Sequence, residues 1–221
     1  MSRRIVAVSA GVGVPSSTRL LTDQILAAVR TQVAARGESV DVEVVELREL
    51  ATDLAAAVNT GGLASPSLAG ALAQVSSADG LVAVTPVFSA SYSGLFKLFF
   101  DVVDPQALVG TPVLVAATGG TPRHSLVLDH ALRPLFSYFR AVVVPTGVFA
   151  ATDDFGDGAG GASLSARVAQ AAAELAGLVV TVPSAVRGFT PTPEDRAGRH
   201  DDSLSPEHVT PFAQLLDGYP G

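Results

Sequence analysis

The chain has 221 residues, 48% of them hydrophobic and 16% charged, and a net charge of −7. That is ample apolar material for one large domain, and an acidic chain (pI near 4.9) without clustered Lys and Arg is no nucleic-acid binder, because phosphate contacts need such clusters. It has no cysteine, which excludes disulfides, thiolate metal sites, iron–sulfur clusters and Cys nucleophiles and fits a reducing cytoplasm.

Ser2-Arg3-Arg4 before IVAVSAGVGV has the look of an export signal. A long amphipathic pattern follows at once, however, as it does after the first strand of a nucleotide fold, so residues 5–9 are read as a strand. No uninterrupted apolar stretch is long enough to span a bilayer, and no membrane partner is expected. Residues 18–36 form a predicted helix, with Leu21, Ile25, Leu26, Val29 and Val33 on one face and Gly37 as its stop. Residues 40–47 alternate as a strand with one wetter face. Residues 48–62 suggest a short helix and a loop, and residues 66–76 a helix with Pro in its first turn.

Residues 81–85 are a third strand, and residues 94–103 an apolar helix ended by Asp104-Pro105. A strand at 112–117, a helix at 126–139 and a strand at 141–145 follow. Residues 155–163 are Gly-rich and expected to be mobile, and an Ala-rich helix covers 165–178. From Pro183 the composition turns to Pro, Asp, Arg and Ser, so the division expected is a domain at 1–183 and a polar tail at 184–221. The tail either wraps the domain or a neighbouring subunit, or is a disordered end.

Five strands alternating with helices predict an α/β fold with a doubly wound parallel sheet. The order expected is the flavodoxin-like 2-1-3-4-5, chosen over the Rossmann order because of where the loops with ligand-binding character fall.

The first such loop, Ser9-Ala10-Gly11-Val12-Gly13-Val14-Pro15-Ser16-Ser17-Thr18-Arg19, opens a helix, where free N–H groups and the helix dipole favour an anion. Ser16, Ser17 and Thr18 add three hydroxyls, and one cap requires only one of them. Gly11-x-Gly13-x-x-Ser16, with Glu46 as a ribose-binding acid, is a degraded Rossmann fingerprint and remains a competitor; a Walker loop is rejected for want of a Lys. The second loop, after Thr85, is Pro86-Val87-Phe88-Ser89-Ala90-Ser91-Tyr92, whose backbone and aromatic rings suit a flat ligand. The third is Ala117-Thr118-Gly119-Gly120-Thr121-Pro122-Arg123-His124-Ser125, where paired glycines admit close approach.

TPVFSASYSG at 85–94 resembles the second flavin loop of the NAD(P)H-dependent FMN reductases, Thr-Pro-Glu-Tyr-Asn-Gly-Ser-Tyr-Ser-Gly. The first loop is similar to their Ser-Gly-Ser-x-Arg-x-Gly-Ser-x-Asn/Thr-Arg pattern at Ser9, Ser16, Thr18 and Arg19, and departs from it at Gly11 and Gly13. ATGGTPRHSL resembles the actinobacterial members that supply reduced flavin to luciferase-like monooxygenases. The resemblance implies FMN as cofactor and NADPH or NADH as hydride donor. It implies a small-molecule substrate, a homodimer or higher homo-oligomer, and reduced flavin passed to an acceptor, such as a quinone, an azo dye or chromate, or to a partner flavin-dependent monooxygenase. The FMN contacts it suggests are Ser9, Gly11, Ser16, Ser17, Thr18, Pro86, Val87, Phe88, Ser89, Ser91, Thr118, Gly119, Gly120 and Arg123. No side chain is expected to act as acid or base, and no metal is expected.

The helix at 94–103 is apolar nearly all round, so one face is expected to meet a second subunit. A flavodoxin-type electron carrier and a Rossmann-type dinucleotide-binding domain stay open as alternatives. Asp154-Phe155-Gly156 and the aspartates around it lack the partners of a kinase or calcium loop, and His200-Asp201-Asp202 with His208 reads as a solvated charged tail.

Overall fold

A computed structural model describes residues 2–156 and 158–180, and every structural statement below concerns these. The tail and its histidines lie outside the described residues.

The chain runs β1 (Ser2–Ser9), α1 (Ser17–Ala34), β2 (Ser39–Glu46), α2 (Ala51–Asn59), α3 (Pro66–Ser76), β3 (Gly80–Phe88), β4 (Ser91–Tyr92) and α4 (Gly94–Val102). It continues through β5 (Pro112–Gly119), α5 (Arg133–Tyr138), β6 (Val142–Val143), β7 (Val148–Ala151) and α6 (Ala159–Val179). The sheet order is β2-β1-β3-β5, with β6 and β7 both parallel to β5 at its far side. Taking β6 and β7 as one interrupted strand, this is the expected 2-1-3-4-5. β3 lies beside β1, which a Rossmann order does not allow.

Side chains alternate across the pleat. Ile5, Ala7, Val82, Val84, Leu114 and Ala116 face α1 and α6. Val6, Val8, Leu81, Ala83, Val113 and Val115 face α2 to α5. The arginines of the apparent export signal belong to β1, where Arg3 pairs with Glu38, just before β2, and Arg4 with Glu43 in the middle of β2.

The fifth strand departs from the expected 141–145. Only Val142 and Val143 are strand there, and the ladder resumes at Val148. Pro145 has no N–H for the ladder. The interrupted backbone is satisfied by side chains instead. Arg133 donates to the carbonyls of Val144 (3.0 Å) and Pro145 (2.5 Å). Glu174 accepts from the Thr146 N–H (2.7 Å) and hydroxyl (2.8 Å). The second half, β7, then reaches the end of β5 beside Gly119.

The Gly-rich stretch at 155–163 also differs from expectation. Thr152–Phe155 is a 3-10 turn, and α6 starts at Ala159, well before residue 165. A Cβ on Gly161 would stand 2.2 Å from the Gly156 carbonyl oxygen, and one on Gly160 3.2 Å from Asp154 Oδ1. These glycines serve close packing of the helix start on the turn before it.

The helix expected at 126–139 is broken into a π turn at Leu128–Leu132 and then α5. Pro134, just inside α5, has no N–H and crowds the carbonyl four residues back, which explains the widened turn.

Helix α4 finds more cover inside the chain than its all-round apolarity suggests. Phe96, Phe99 and Phe100 are buried, and Phe100 meets Phe136 edge-on at 5.1 Å. Leu95, Leu98 and Val102 stay partly exposed.

Candidate functional site

Three chain segments meet at the carboxyl ends of β1, β3 and β5. The first begins at Ser9, whose hydroxyl is fully buried with no hydrogen-bond partner among the described residues. Ala10 N–H donates to the Val84 carbonyl at 3.0 Å, tying the loop to β3. Ser16 is the N-cap of α1 and accepts from Arg19 N–H at 3.2 Å. Its carbonyl takes the N–H of Leu20. The first-turn N–H groups of Ser17 and Thr18 have no carbonyl one turn earlier in the helix, so they remain available to an anion. Gly11 is a steric requirement, since a Cβ there would lie 2.1 Å from Ser16 Oγ.

Of the three hydroxyls, Ser16 caps and Ser17 is exposed. Thr18 is buried, and its Oγ1 lies 2.8 Å from Thr118 Oγ1. This bond joins the start of α1 to the end of β5. Thr118 is also the register partner of Pro86 in the β3–β5 ladder. All three segments therefore converge on Thr118.

The second segment is a tight hairpin, where the sequence suggested an open loop. β3 continues through Phe88, and Val87 and Phe88 pair with Tyr92 and Ser91 of β4. The turn residues Ser89 and Ala90 both have positive φ, +49° and +65°, as a two-residue turn matched to strand twist requires. Pro86 is tolerated inside the strand because the β1 ladder ends at Val84, short of Pro86. Thr85 Oγ1 accepts from Ser93 N–H at 3.0 Å, and Ser93 caps α4 by accepting from Phe96 N–H at 3.2 Å. The hairpin is thus bolted to α4. Phe88 is 48% exposed, whereas Tyr92 rests on Phe96 with ring centroids 5.8 Å apart. Of the two aromatics, Phe88 is the more exposed. Lys97 pairs with Asp101 along α4, and that bond holds its ammonium pKa above the usual value.

In the third segment, a Cβ on Gly119 would stand 2.9 Å from Phe149 Cζ of β7, while Gly120 faces open space. Arg123 and His124 lie on an exposed 3-10 turn, Pro122–His124.

Sequence reasoning missed the charge cluster under the first loop. Glu46, the last residue of β2, accepts from Arg19 Nη1 at 2.5 Å and lies 3.9 Å from Arg48 Nε. Arg48 Nη1 donates to the Gly13 carbonyl at 3.2 Å. Arg19 also pairs with Asp23 at 2.9 Å, and its bonds to Glu46 and then Asp23 raise its pKa. Glu46 is therefore an ion-paired support beneath the loop, its carboxylate engaged by Arg19 and close to Arg48. Arg48 is 35 residues from Gly13, and no local pattern announces the contact.

Strand order, an anion-ready helix start at the first strand, and a hairpin and a Gly-Gly loop on the same edge define a flavodoxin-like nucleotide-binding protein. Comparison with known sequences narrows this further. The profile of the NADPH-dependent FMN reductases matches residues 3–156, and the chain belongs to that family. It is 45% identical over 152 residues to an FMN reductase (NADPH) of Pseudomonas aeruginosa, covering 69% of this chain and 78% of that one. It is 43% identical over 169 residues to the NADH-dependent FMN reductase SfnE of Pseudomonas putida, covering 76% and 88%. Among solved structures, an oxidoreductase from Corynebacterium diphtheriae superposes with a TM-score of 0.78 at 55% identity, covering 81% of this chain and 97% of that one.

Proposed function

We propose that this chain is an NAD(P)H:FMN oxidoreductase, acting in the cytoplasm, whose FMN lies across the three segments that meet at Thr118. The Thr18–Thr118 bond carries the reading, because it joins the anion loop to the Gly-Gly loop with Pro86 of the hairpin between them. The local chemistry fits FMN. The orphaned Ser9 hydroxyl and the free N–H groups of Ser17 and Thr18 suit a phosphate. Pro86, Val87 and Phe88 present peptide and aromatic surface to a flat ring, and Ser89 and Ser91 flank it on the hairpin. The backbone at Gly119 and Gly120, with Arg123 nearby in sequence, supplies donors and positive charge for the ring's polar edge.

Bound FMN supplies the hydride acceptor and later gives up the electrons. The chain binds and orients it, with Ser9, Gly11, Ser16, Ser17 and Thr18 forming or shaping the phosphate end. No side chain is assigned a proton-transfer step.

Titration of the purified protein with FMN, followed by NADH and NADPH oxidation, tests this. The expected result is nucleotide oxidation that depends on added FMN. Tight NAD binding with indifference to FMN overturns it. Flavin binding without any oxidation favours a flavodoxin-type carrier instead.

Reduced flavin passes on this reading to an acceptor or a flavin-dependent monooxygenase, detectable as coupled turnover. The flavin domain is 1–183, with 184–221 appended. A homodimer is supported by the partly exposed Leu95, Leu98 and Leu135 and by Tyr138, 67% exposed, around the outer side of α4 and α5. A monomer by light scattering at micromolar concentration overturns that part.

A further inference from the structure

Two arginines stand beside the first loop, and both are already engaged. Arg19 Nη1 is 2.5 Å from Glu46 Oε1 and its Nε is 2.9 Å from Asp23. Arg48 donates to the Gly13 carbonyl and keeps its Nε 3.9 Å from Glu46 Oε2. The Glu46 side chain is only 7% exposed, and Oε2 has no hydrogen-bond partner among the described residues. Glu46 is the register partner of Ser9, so the two side chains lie on the same face of the sheet. A buried carboxylate thus neighbours an orphaned hydroxyl at the base of a loop whose N–H groups favour an anion.

A fixed negative charge here opposes a phosphate in two ways. It repels the dianion directly, and it occupies the guanidiniums that would otherwise neutralise it. We infer that Glu46 is a positioning residue that holds Arg19 and Arg48 away from the FMN phosphate, leaving the phosphate to backbone N–H groups and hydroxyls. The affinity of this loop for a phosphate is lowered accordingly. This rests on the FMN reading above. A Glu46 that only bolted β2 to α1 would support all flavins alike, and its loss would not tighten binding.

The test is Glu46→Gln, which keeps the shape and removes the charge. Dissociation constants for FMN and riboflavin are measured by quenching of flavin fluorescence; riboflavin has the ring without the phosphate. The expected result is FMN binding about five- to tenfold tighter, in line with removal of one nearby charge, with riboflavin unchanged. Unchanged or weaker FMN binding in a variant that melts as cooperatively as the wild type overturns the inference, and so does an equal gain for riboflavin. Arg48→Gln alone reads the same question without touching Glu46. A withheld arginine contributes little, so FMN affinity should fall by no more than about twofold, while a tenfold loss overturns the inference. If the unaltered protein binds no FMN at all, it is the functional reading that fails.

Discussion

Replacing Gly11 by Ala tests the geometry of the phosphate loop directly. The added Cβ would stand 2.1 Å from Ser16 Oγ, 3.1 Å from Thr18 Cβ and 3.2 Å from Ser16 Cβ. Ordinary carbon contacts settle near 3.5–4.0 Å, so the hydroxyl must leave. A displaced Ser16 hydroxyl cannot accept from Arg19 N–H, now 3.2 Å away, and an N-cap is worth about 1 kcal/mol. The two remaining close contacts are overpacking, which typically costs about 1–3 kcal/mol. The sum is roughly 2–4 kcal/mol, or a fall of about 4–15 °C in Tm for a domain of this size. Ser16→Ala alone should cost about 1 kcal/mol. In Gly11→Ala/Ser16→Ala the clashing atom is gone and the cap can be lost only once, so the double variant should be more stable than additivity predicts by about 1 kcal/mol or more. Urea unfolding of the four proteins measures this. Strict additivity, or a neutral Gly11→Ala, would refute the claim that the loop folds back onto its own cap.

Thr118→Val should cost about 1–3 kcal/mol in urea unfolding, because the buried Thr18 hydroxyl loses its partner, and Thr18→Val/Thr118→Val should cost less than the sum of the singles. Ser89→Asn with Ala90→Gly should stabilise by about 1 kcal/mol, since both positions hold a left-handed backbone that these residues tolerate better; a lower Tm would contradict the turn geometry. Burial works against the Glu174 carboxylate, but hydrogen bonds from the Thr146 N–H and hydroxyl and from Gln170, with Arg133 nearby, outweigh it and hold its pKa below the usual glutamate value. A depressed carboxylate pKa stabilises the fold above the ordinary glutamate range, and that stability is lost as pH falls below it. Glu174→Gln should therefore flatten the acid side of the stability–pH profile, and an unaltered profile would show that the clamp on Thr146 is not electrostatic.

The regular strands and helices were legible because their patterns are strong. Residues 66–76 and the apolar faces of α1 and β1 follow directly from spacing and a well-placed proline. What escaped depended on partners distant in sequence. β7 is a four-residue strand, and only pairing with the end of β5 makes it one. The glycines at 160 and 161 read locally as mobility, yet the Gly156 carbonyl and Asp154 explain them. The hairpin at Ser89-Ala90 lacks the Gly or Asn that normally announces such a turn, so it read as an open loop. Likewise the link from Glu46 through Arg48 to Gly13 joins β2 to the loop after β1, and only the sheet brings them together.

The hydroxyls near the site show the same limit in chemical form. Read along the sequence, Ser16, Ser17, Thr18, Thr85, Ser93 and Thr118 look like a generous supply of donors for a ligand. Folding commits most of them first. Ser16 caps α1, Ser93 caps α4, Thr85 holds Ser93, and Thr18 and Thr118 hold each other. A hydroxyl carries one proton and two lone pairs, so capping fixes where Ser16 points but leaves its proton for a phosphate, whereas Thr85 gives its proton to the Pro86 carbonyl at 3.0 Å. Ser9 and Ser17 remain the least committed, together with the N–H groups that open α1. The hydroxyl-rich segments therefore act mainly by fixing the backbone that faces the ligand. Beside that backbone one carboxylate, Glu46, stands between two arginines, and its charge is what Glu46→Gln removes.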